Sequence, residues 1–213
     1  MSLKNKKVLL TYGPTAVPID NVRVITNISS GSLGRFLIEE LLERGARLTV
    51  LEGPVRQPSQ AKGIRKKNFF FFDDLQKLLT CELDRSYDIL IHAAAVSDYR
   101  ARSVRRDKIG SGQKKLKLNL IPTPKLIAKV KKQAPDIFLV GFKLEPRADI
   151  KNLKKKGHQL IRSHGCDLVV ANTLPPGGGY AGLIMDREGH IWARAGSRRT
   201  LTRQLMRAIE DKT

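Results

Sequence analysis

Short unbroken apolar runs alternate along this chain with longer stretches in which apolar residues recur at helical spacing. The runs 8–11, 47–51, 69–72, 88–93, 137–142 and 168–171 predict buried strands, because a strand covered on both faces shows no polar side. Residues 33–44 carry apolar side chains at 33, 36, 37, 41 and 42 and predict a helix that Gly45 ends. Further helices are predicted from Asp73, as N-cap, to 79, from Pro124 to 133, over 149–163, and from Thr200, as cap of a final helix. At 115–120 lysine alternates with apolar residues, which predicts a strand with one wet face. Residues 182–185 and 190–193 predict a hairpin about Glu188-Gly189, and 56–68 read as a basic loop.

Strand–helix alternation with apolar strands predicts an α/β fold. The expectation is a single three-layer α/β/α domain over 1–213, with a mostly parallel, Rossmann-like sheet and a C-terminal hairpin plus helix. With 213 residues, 41% of them hydrophobic, the chain can bury a full core, which argues against wholesale disorder. No apolar run approaches the ~20 residues that span a bilayer, and no secretory leader is legible at the N-terminus. Cys81 and Cys166 stand far apart with no Cys-x-x-Cys, which excludes a disulfide scaffold and a zinc ribbon and fits a reducing cytoplasm.

Forty Lys and Arg oppose 20 Asp and Glu, a net charge of +20 that favours polyanionic partners. Nucleic acid, an anionic membrane or a substrate with several phosphates all fit. Much of the surplus falls at 125–132 and 151–156, where helix faces exposed to solvent explain it. Few aromatics interleave with these runs and no nucleic-acid-binding motif accompanies them, so charge alone does not name the partner.

An open parallel sheet binds ligands beyond the carboxyl ends of its strands. Four stretches rich in small residues fall there: 11–34, 92–112, 141–146 and 171–180. The first contains Ser29-Ser30-Gly31-Ser32-Leu33-Gly34 and opens into a helix, which suits an anion: small residues bare the backbone amides and the helix dipole adds to them. It is not a Walker A loop, for no Lys follows the glycine. It approximates a dinucleotide turn with its first Gly replaced, and Glu52 could then hold a ribose; yet about 17 residues separate it from the first strand. The second stretch holds Ala93-Ala94-Ala95, a backbone open to a flat ligand, then Asp98 and Lys108. Histidines 92, 158, 164 and 190 form no metal-binding pair, and no side-chain metal site is legible.

Together these stretches resemble one family, the phosphopantothenate–cysteine ligases, in their stand-alone form. The resemblance rests on Thr11-Tyr12-Gly13-Pro14-Thr15, Val22-Arg23-Val24-Ile25-Thr26-Asn27, Ser29-Ser30-Gly31 with Gly34, Ala94-Ala95-Val96-Ser97-Asp98-Tyr99 with Lys108-Ile109, Gly141-Phe142-Lys143-Leu144-Glu145 and Val169-Val170-Ala171-Asn172, in order over about 7–195. It implies a ligase of coenzyme A biosynthesis that joins 4′-phosphopantothenate to L-cysteine through an acyl nucleotide, using CTP or ATP with magnesium and no flavin. It further implies that Gly13, Ser29, Gly31, Gly34, Phe142 and Asn172 bind the nucleotide. Asn27, Ala94, Ala95 and Asp98 would hold phosphopantothenate and the acyl intermediate, and Arg23 the substrate phosphate of a neighbouring subunit in a homodimer. Asn27 and Lys108 would be the catalytic pair, with 105–112 as a mobile flap.

The sequence departs from the fused bacterial form of that family. Lys108-Ile109-Gly110-Ser111 stands for Lys-Ile-Lys-Lys, Thr123-Pro124-Lys125 for Asn-Pro-Asp, and Leu160 and His164 fall where two triphosphate-contacting lysines are expected. A separate enzyme would supply the decarboxylase step. Two competing readings are an NAD(P)-binding Rossmann oxidoreductase, drawn from the Gly-rich turn and Glu52, and a non-catalytic basic module for nucleic acid, drawn from charge alone.

Overall fold

The computed structural model describes residues 3–112, 114–176 and 178–213. In chain order the elements are β1 (Lys7–Tyr12), β2 (Ala16–Pro18), β3 (Val24–Thr26), α1 (Ser32–Glu43), β4 (Arg47–Glu52), β5 (Arg65–Asn68), α2 (Phe72–Leu83) and β6 (Ile89–His92). There follow β7 (Tyr99–Ala101), β8 (Leu120–Pro122), α3 (Ile127–Gln133), β9 (Phe138–Leu144), α4 (Ile150–His164), β10 (Leu168–Thr173), β11 (Ala181–Asp186), β12 (Ile191–Ala195) and α5 (Arg198–Lys212).

Eight strands form one sheet in the order β12-β11-β10-β9-β6-β1-β4-β5. The strands from β10 to β5 in that order pair in parallel, while β11 and β12 pair antiparallel, as the expected hairpin. The chain runs outward from β1 through β4 to β5, then returns to β6 on the other side of β1 and runs outward again. The reversal opens a crevice between the carboxyl ends of β1 and β6, and the site lies there.

Alternate residues of β1 feed two cores. Val8, Leu10 and Tyr12 pack with Leu37 and Leu41 of α1 and Leu201, Leu205 and Ile209 of α5. Leu9 packs with Leu75 and Leu79 of α2, Val130 of α3 and Leu153 and Ile161 of α4. Each such side chain, fully buried, contributes about 1.5–3 kcal/mol. This is the three-layer α/β arrangement expected from the strand texture. Among the described residues no helix is long and apolar enough to cross a membrane.

Several boundaries differ from expectation. No main-sheet strand runs over 69–72; the strand is β5, in the basic stretch read as loop. β5 carries charge because two buried carboxylates draw it: Lys66 pairs with Glu52 at 3.2 Å, Lys67 with Glu82 at 2.8 Å, and Arg65 also with Glu82. Phe69 and Phe72 are buried, but Phe72 already begins α2, whose first turn is held by Asp74 rather than Asp73: its carboxylate accepts the Phe71 N–H at 2.8 Å. The pattern at 115–120 gives strand only from Leu120, and Leu116 and Leu118 stay exposed rather than forming a buried face. α3 begins at Ile127, after Pro124, and α5 is capped by Ser197, whose Oγ accepts the Thr200 N–H at 3.0 Å. Among the described residues two small ribbons, β2–β3 and β7–β8, stand outside the main sheet, and of their strands only β8 touches a stretch that predicted one.

Candidate active site

The crevice is a cavity of about 550 Å³. Its floor is stitched across the switch point: the Ala95 N–H donates to the Gly13 carbonyl at 2.9 Å and the Thr15 N–H to the Ala95 carbonyl at 3.2 Å. Glycines permit the close turns. Gly13 has φ +88°, and a Cβ there would lie 2.9 Å from the Gly53 backbone. A Cβ on Gly34 would lie 2.1 Å from the Tyr12 ring, so α1 can start against β1 only with glycine at that position.

Of the residues singled out in the sequence, Gly13, Asn27, Ser29, Gly31, Gly34, Ala94, Ala95, Asp98, Phe142 and Asn172 all line this cavity. α1 starts at its edge with Gly31 in a left-handed conformation and no side-chain cap, which leaves its first turn to an anion. The Asn27 side-chain amide donates to the carbonyls of Ala95 at 3.1 Å and Val96 at 3.2 Å, which ties the loop before α1 to the loop after β6 and leaves its Oδ1 as acceptor.

Arg23 and Lys108 do not line the cavity. Arg23 pairs with Asp20 at 2.6 Å and donates to the Ile109 carbonyl at 3.0 Å. Ile109 is buried, and its N–H is held by the Asp20 carboxylate, so 105–112 is fastened at its middle rather than loose throughout; Lys108 itself is exposed.

Sequence reasoning missed three features of the site. Arg198, the first residue of α5, lies with its guanidinium 5.1 Å from the centre of the Tyr180 ring, and both line the cavity. His92 closes β6 beside Thr11, with Nδ1 2.8 Å from the Thr11 hydroxyl, and burial pushes its imidazole down to about 4, so the ring is neutral. Behind it Gly141 lies against Cys166, where a Cβ would come 2.9 Å from the sulfur. A strand ending in His after three apolar residues is the only hint of this in the sequence.

The electrostatics suit anions. Among the described lining residues Lys125, Lys143 and Arg198 are cationic and Asp98 is the one carboxylate. Partial burial, with the charge of Lys125 adding to it, holds the His164 imidazole below its usual range. A cluster of Asp186, Glu188 and His190 lies at the β11–β12 turn and does not line this cavity.

Glu52 is not available to a ribose. It is buried, accepts the Tyr12 hydroxyl and the Ser59 N–H at 2.9 Å, and pairs with Lys66. The acid on which the dinucleotide reading depended is engaged inside the fold.

The fold and this Gly-lined crevice define an α/β protein with an open cavity at the switch point of its sheet. The family described as the DNA/pantothenate metabolism flavoprotein C-terminal domain matches residues 3–211, and the chain belongs to it. The chain is 41% identical over 174 residues to the coenzyme A biosynthesis bifunctional protein CoaBC of Thermococcus kodakarensis, covering 81% of this chain and 42% of the relative. It is 31% identical to the CoaBC protein of Bacillus subtilis, covering 88% of this chain and 47% of the relative. The chain therefore spans about half the length of these curated relatives. Among solved structures, a DNA/pantothenate metabolism flavoprotein from Streptococcus pneumoniae superposes with a TM-score of 0.86 at 24% identity, covering 98% of this chain and all (100%) of that one. A Cab2 mutant in complex with phosphopantothenate-cysteine superposes with a TM-score of 0.75 at 21% identity, covering 99% of this chain and 90% of that one; at these identities the likeness concerns the fold.

Proposed function

We propose that this chain is a phosphopantothenate–cysteine ligase of coenzyme A biosynthesis, working in the cytoplasm with CTP or ATP and magnesium. The observation that carries the reading is the meeting of Asn27, the 29–34 turn, Ala94, Ala95, Asp98, Phe142 and Asn172 in one cavity at the switch point. Two of the relatives named above are coenzyme A biosynthesis proteins, and a structural neighbour holds phosphopantothenate-cysteine.

In the first step a substrate carboxylate oxygen attacks the α-phosphorus of the nucleotide, the bond to the β-phosphate oxygen breaks, and pyrophosphate leaves. In the second the cysteine amine attacks the acyl carbon, the nucleotide monophosphate leaves, and the amine loses a proton as the amide forms. The chain's part is to gather like charges and orient them. The 29–34 turn gives backbone amides to phosphate, Phe142 and Asn172 flank the nucleotide, and Ala94 and Ala95 leave room for a flat ligand against the backbone. Asn27 fixes the two loops and offers Oδ1 to the acyl intermediate. Lys108 brings an ammonium over the activated carboxyl. Magnesium would ride with the triphosphate, screening its charge, and Asp98, the one carboxylate among the described lining residues and paired with Lys125, would be free to hold it only once that lysine has moved away. The reading needs no flavin.

Arg23 serves the phosphate of a neighbouring subunit in this reading, since it stands outside its own cavity beside the Lys108 segment. Mixing Arg23→Ala with Asn27→Asp protein then restores activity in heterodimers that keep one intact composite site. No complementation, once subunit exchange is verified, removes the shared site.

Pyrophosphate release with each of the four nucleoside triphosphates, dependent on phosphopantothenate, tests the whole. Turnover with NAD(P)H in its place would install the oxidoreductase, and a steep salt dependence of nucleic-acid retention on filters would support the basic module.

A further inference from the structure

The triphosphate of this reading needs a cation, and α4 does not bring a charged lysine to the cavity. α4 faces the cavity with Leu160 and His164, and its lysines at 151, 154, 155 and 156 do not line it. Of the cations that do, Arg198 lies over Tyr180 and Lys143 pairs with Glu145 at 3.1 Å.

We infer that Lys125 is the cation that meets the nucleotide's β- and γ-phosphates, and that Asp98 holds its ammonium at the cavity rim until they arrive. The two form an ion pair across the mouth, with side chains 58% and 62% exposed. So exposed a pair is weakly held and readily exchanged. The pair is also not needed to keep the loops together. The Thr123 N–H donates to the Asp98 carbonyl at 2.9 Å, and the Thr123 hydroxyl donates to the Ser97 carbonyl at 2.6 Å. The Ser97–Asp98 loop and the segment leading into α3 are therefore joined through Thr123 whatever Lys125 does. A triphosphate carries several negative charges where Asp98 carries one, so the ammonium moves to the phosphates when both are within reach. A lysine suits this exchange, because a point charge on a flexible stem changes partners without rebuilding its surroundings. Lys125 lines the same cavity as Leu160 and His164 of α4, the face that brings no lysine of its own.

This inference rests on the ligase reading for its substrate, but its test is separable. Binding of CTP, ATP and their monophosphates, without magnesium, is measured by calorimetry for the wild type, Lys125→Gln, Lys125→Arg, Asp98→Asn and Lys154→Gln. Lys125→Gln weakens triphosphate binding by about tenfold or more, the scale of one charge-assisted contact, and leaves monophosphate binding as it was. Lys125→Arg restores most of it. Asp98→Asn tightens triphosphate binding, because the ammonium no longer has to leave a carboxylate, and Lys154→Gln changes nothing. Equal triphosphate affinity for Lys125→Gln and wild type overturns the inference, as does an equal loss for monophosphates, which would mark a structural effect. Wild-type protein that shows the Lys125-dependent affinity yet releases no pyrophosphate with phosphopantothenate removes the ligase reading and leaves this one standing. Pyrophosphate release with no Lys125 dependence does the reverse.

Discussion

The Asp20 carboxylate accepts the backbone N–H of Ile109 at 3.0 Å, across 89 residues of chain. The same carboxylate takes the N–H groups of Val22 at 2.8 Å and Arg23 at 2.7 Å and the Arg23 guanidinium, which reaches on to the Ile109 carbonyl. These bonds, the Ile109 amide first among them, hold the Asp20 carboxyl far below the usual carboxylate range. The β2–β3 ribbon thus anchors the segment that carries Lys108.

Asp20→Asn removes the charge that gathers those donors. Trypsin cleavage after Arg105, Arg106 or Lys108 should accelerate by about tenfold, on the scale of a lost charge-assisted hydrogen bond, while the melting temperature shifts little. Because the folded pKa is depressed, the anchor is at full strength above the ordinary carboxylate range near pH 4 and is lost only as the pH falls through the lower, folded value. Amide exchange at Ile109 should accordingly remain slow at pH 4 in the wild type and be fast in the variant.

Lys108→Gln should fold normally, since Lys108 is exposed, and lose most ligase turnover. Not every lysine is a fair control. Lys66 pairs with buried Glu52, and Lys131 donates to the Ile137 carbonyl at 2.6 Å and pairs with Asp167 at 2.7 Å. Lys154, on the exposed side of α4, is the right comparison. Equal activity of the Lys108 and Lys154 variants would discard the catalytic role.

His92 makes the fold acid-sensitive. Its pKa falls from 6.5 to about 4 on burial, so between those values the unfolded chain takes up the proton and the folded one does not. Stability from this group is whole above about pH 6.5 and declines by about 3 kcal/mol by pH 4. Urea titrations of wild type and His92→Gln over that range should diverge in slope, the variant being flatter.

Gly34→Ala should cost about 1–3 kcal/mol or more through overpacking, because the Tyr12 ring in its way is tethered by its hydroxyl to Glu52. Gly110→Ala, which meets nothing within 4 Å, should stay within about 0.5 kcal/mol. Thermal unfolding of the two separates a packing glycine from an idle one.

Where burial shaped the sequence, the structure could be read from it. β1, β4, β6, β9 and β10 are covered on both faces and appear as apolar runs; the 29–34 turn appears as small residues before α1. Where structure came from backbone pairing or buried charge, the residue pattern was silent or misleading. β5 is basic because Glu52 and Glu82 await it, and the Phe run was split between two buried rings and a helix start. The small ribbons are only three residues to a strand, too short to show a period, although Val17 of β2 reaches the core. Arg198 and His92 enter the site through tertiary placement that no local spacing records. Glu52 is well placed for a ribose in the sequence, but in the fold Tyr12 and Ser59 occupy its carboxylate.

The close approach of Gly141 to Cys166 gives the molecule an internal clock. Cys166 is fully buried, and burial, with Asp167 adding its charge, pushes the thiol up to about 12, whereas Cys81 on α2 is exposed. A thiol reagent therefore finds Cys81 at once and Cys166 only when the corner of β9, β10 and α4 parts. Gly141 pairs in register with His92 at the rim of the cavity, so a ligand seated there bears on the same corner. The lag before the second cysteine reacts measures how often that corner opens, and the lengthening of the lag on adding ligand reports occupancy without any assay of turnover.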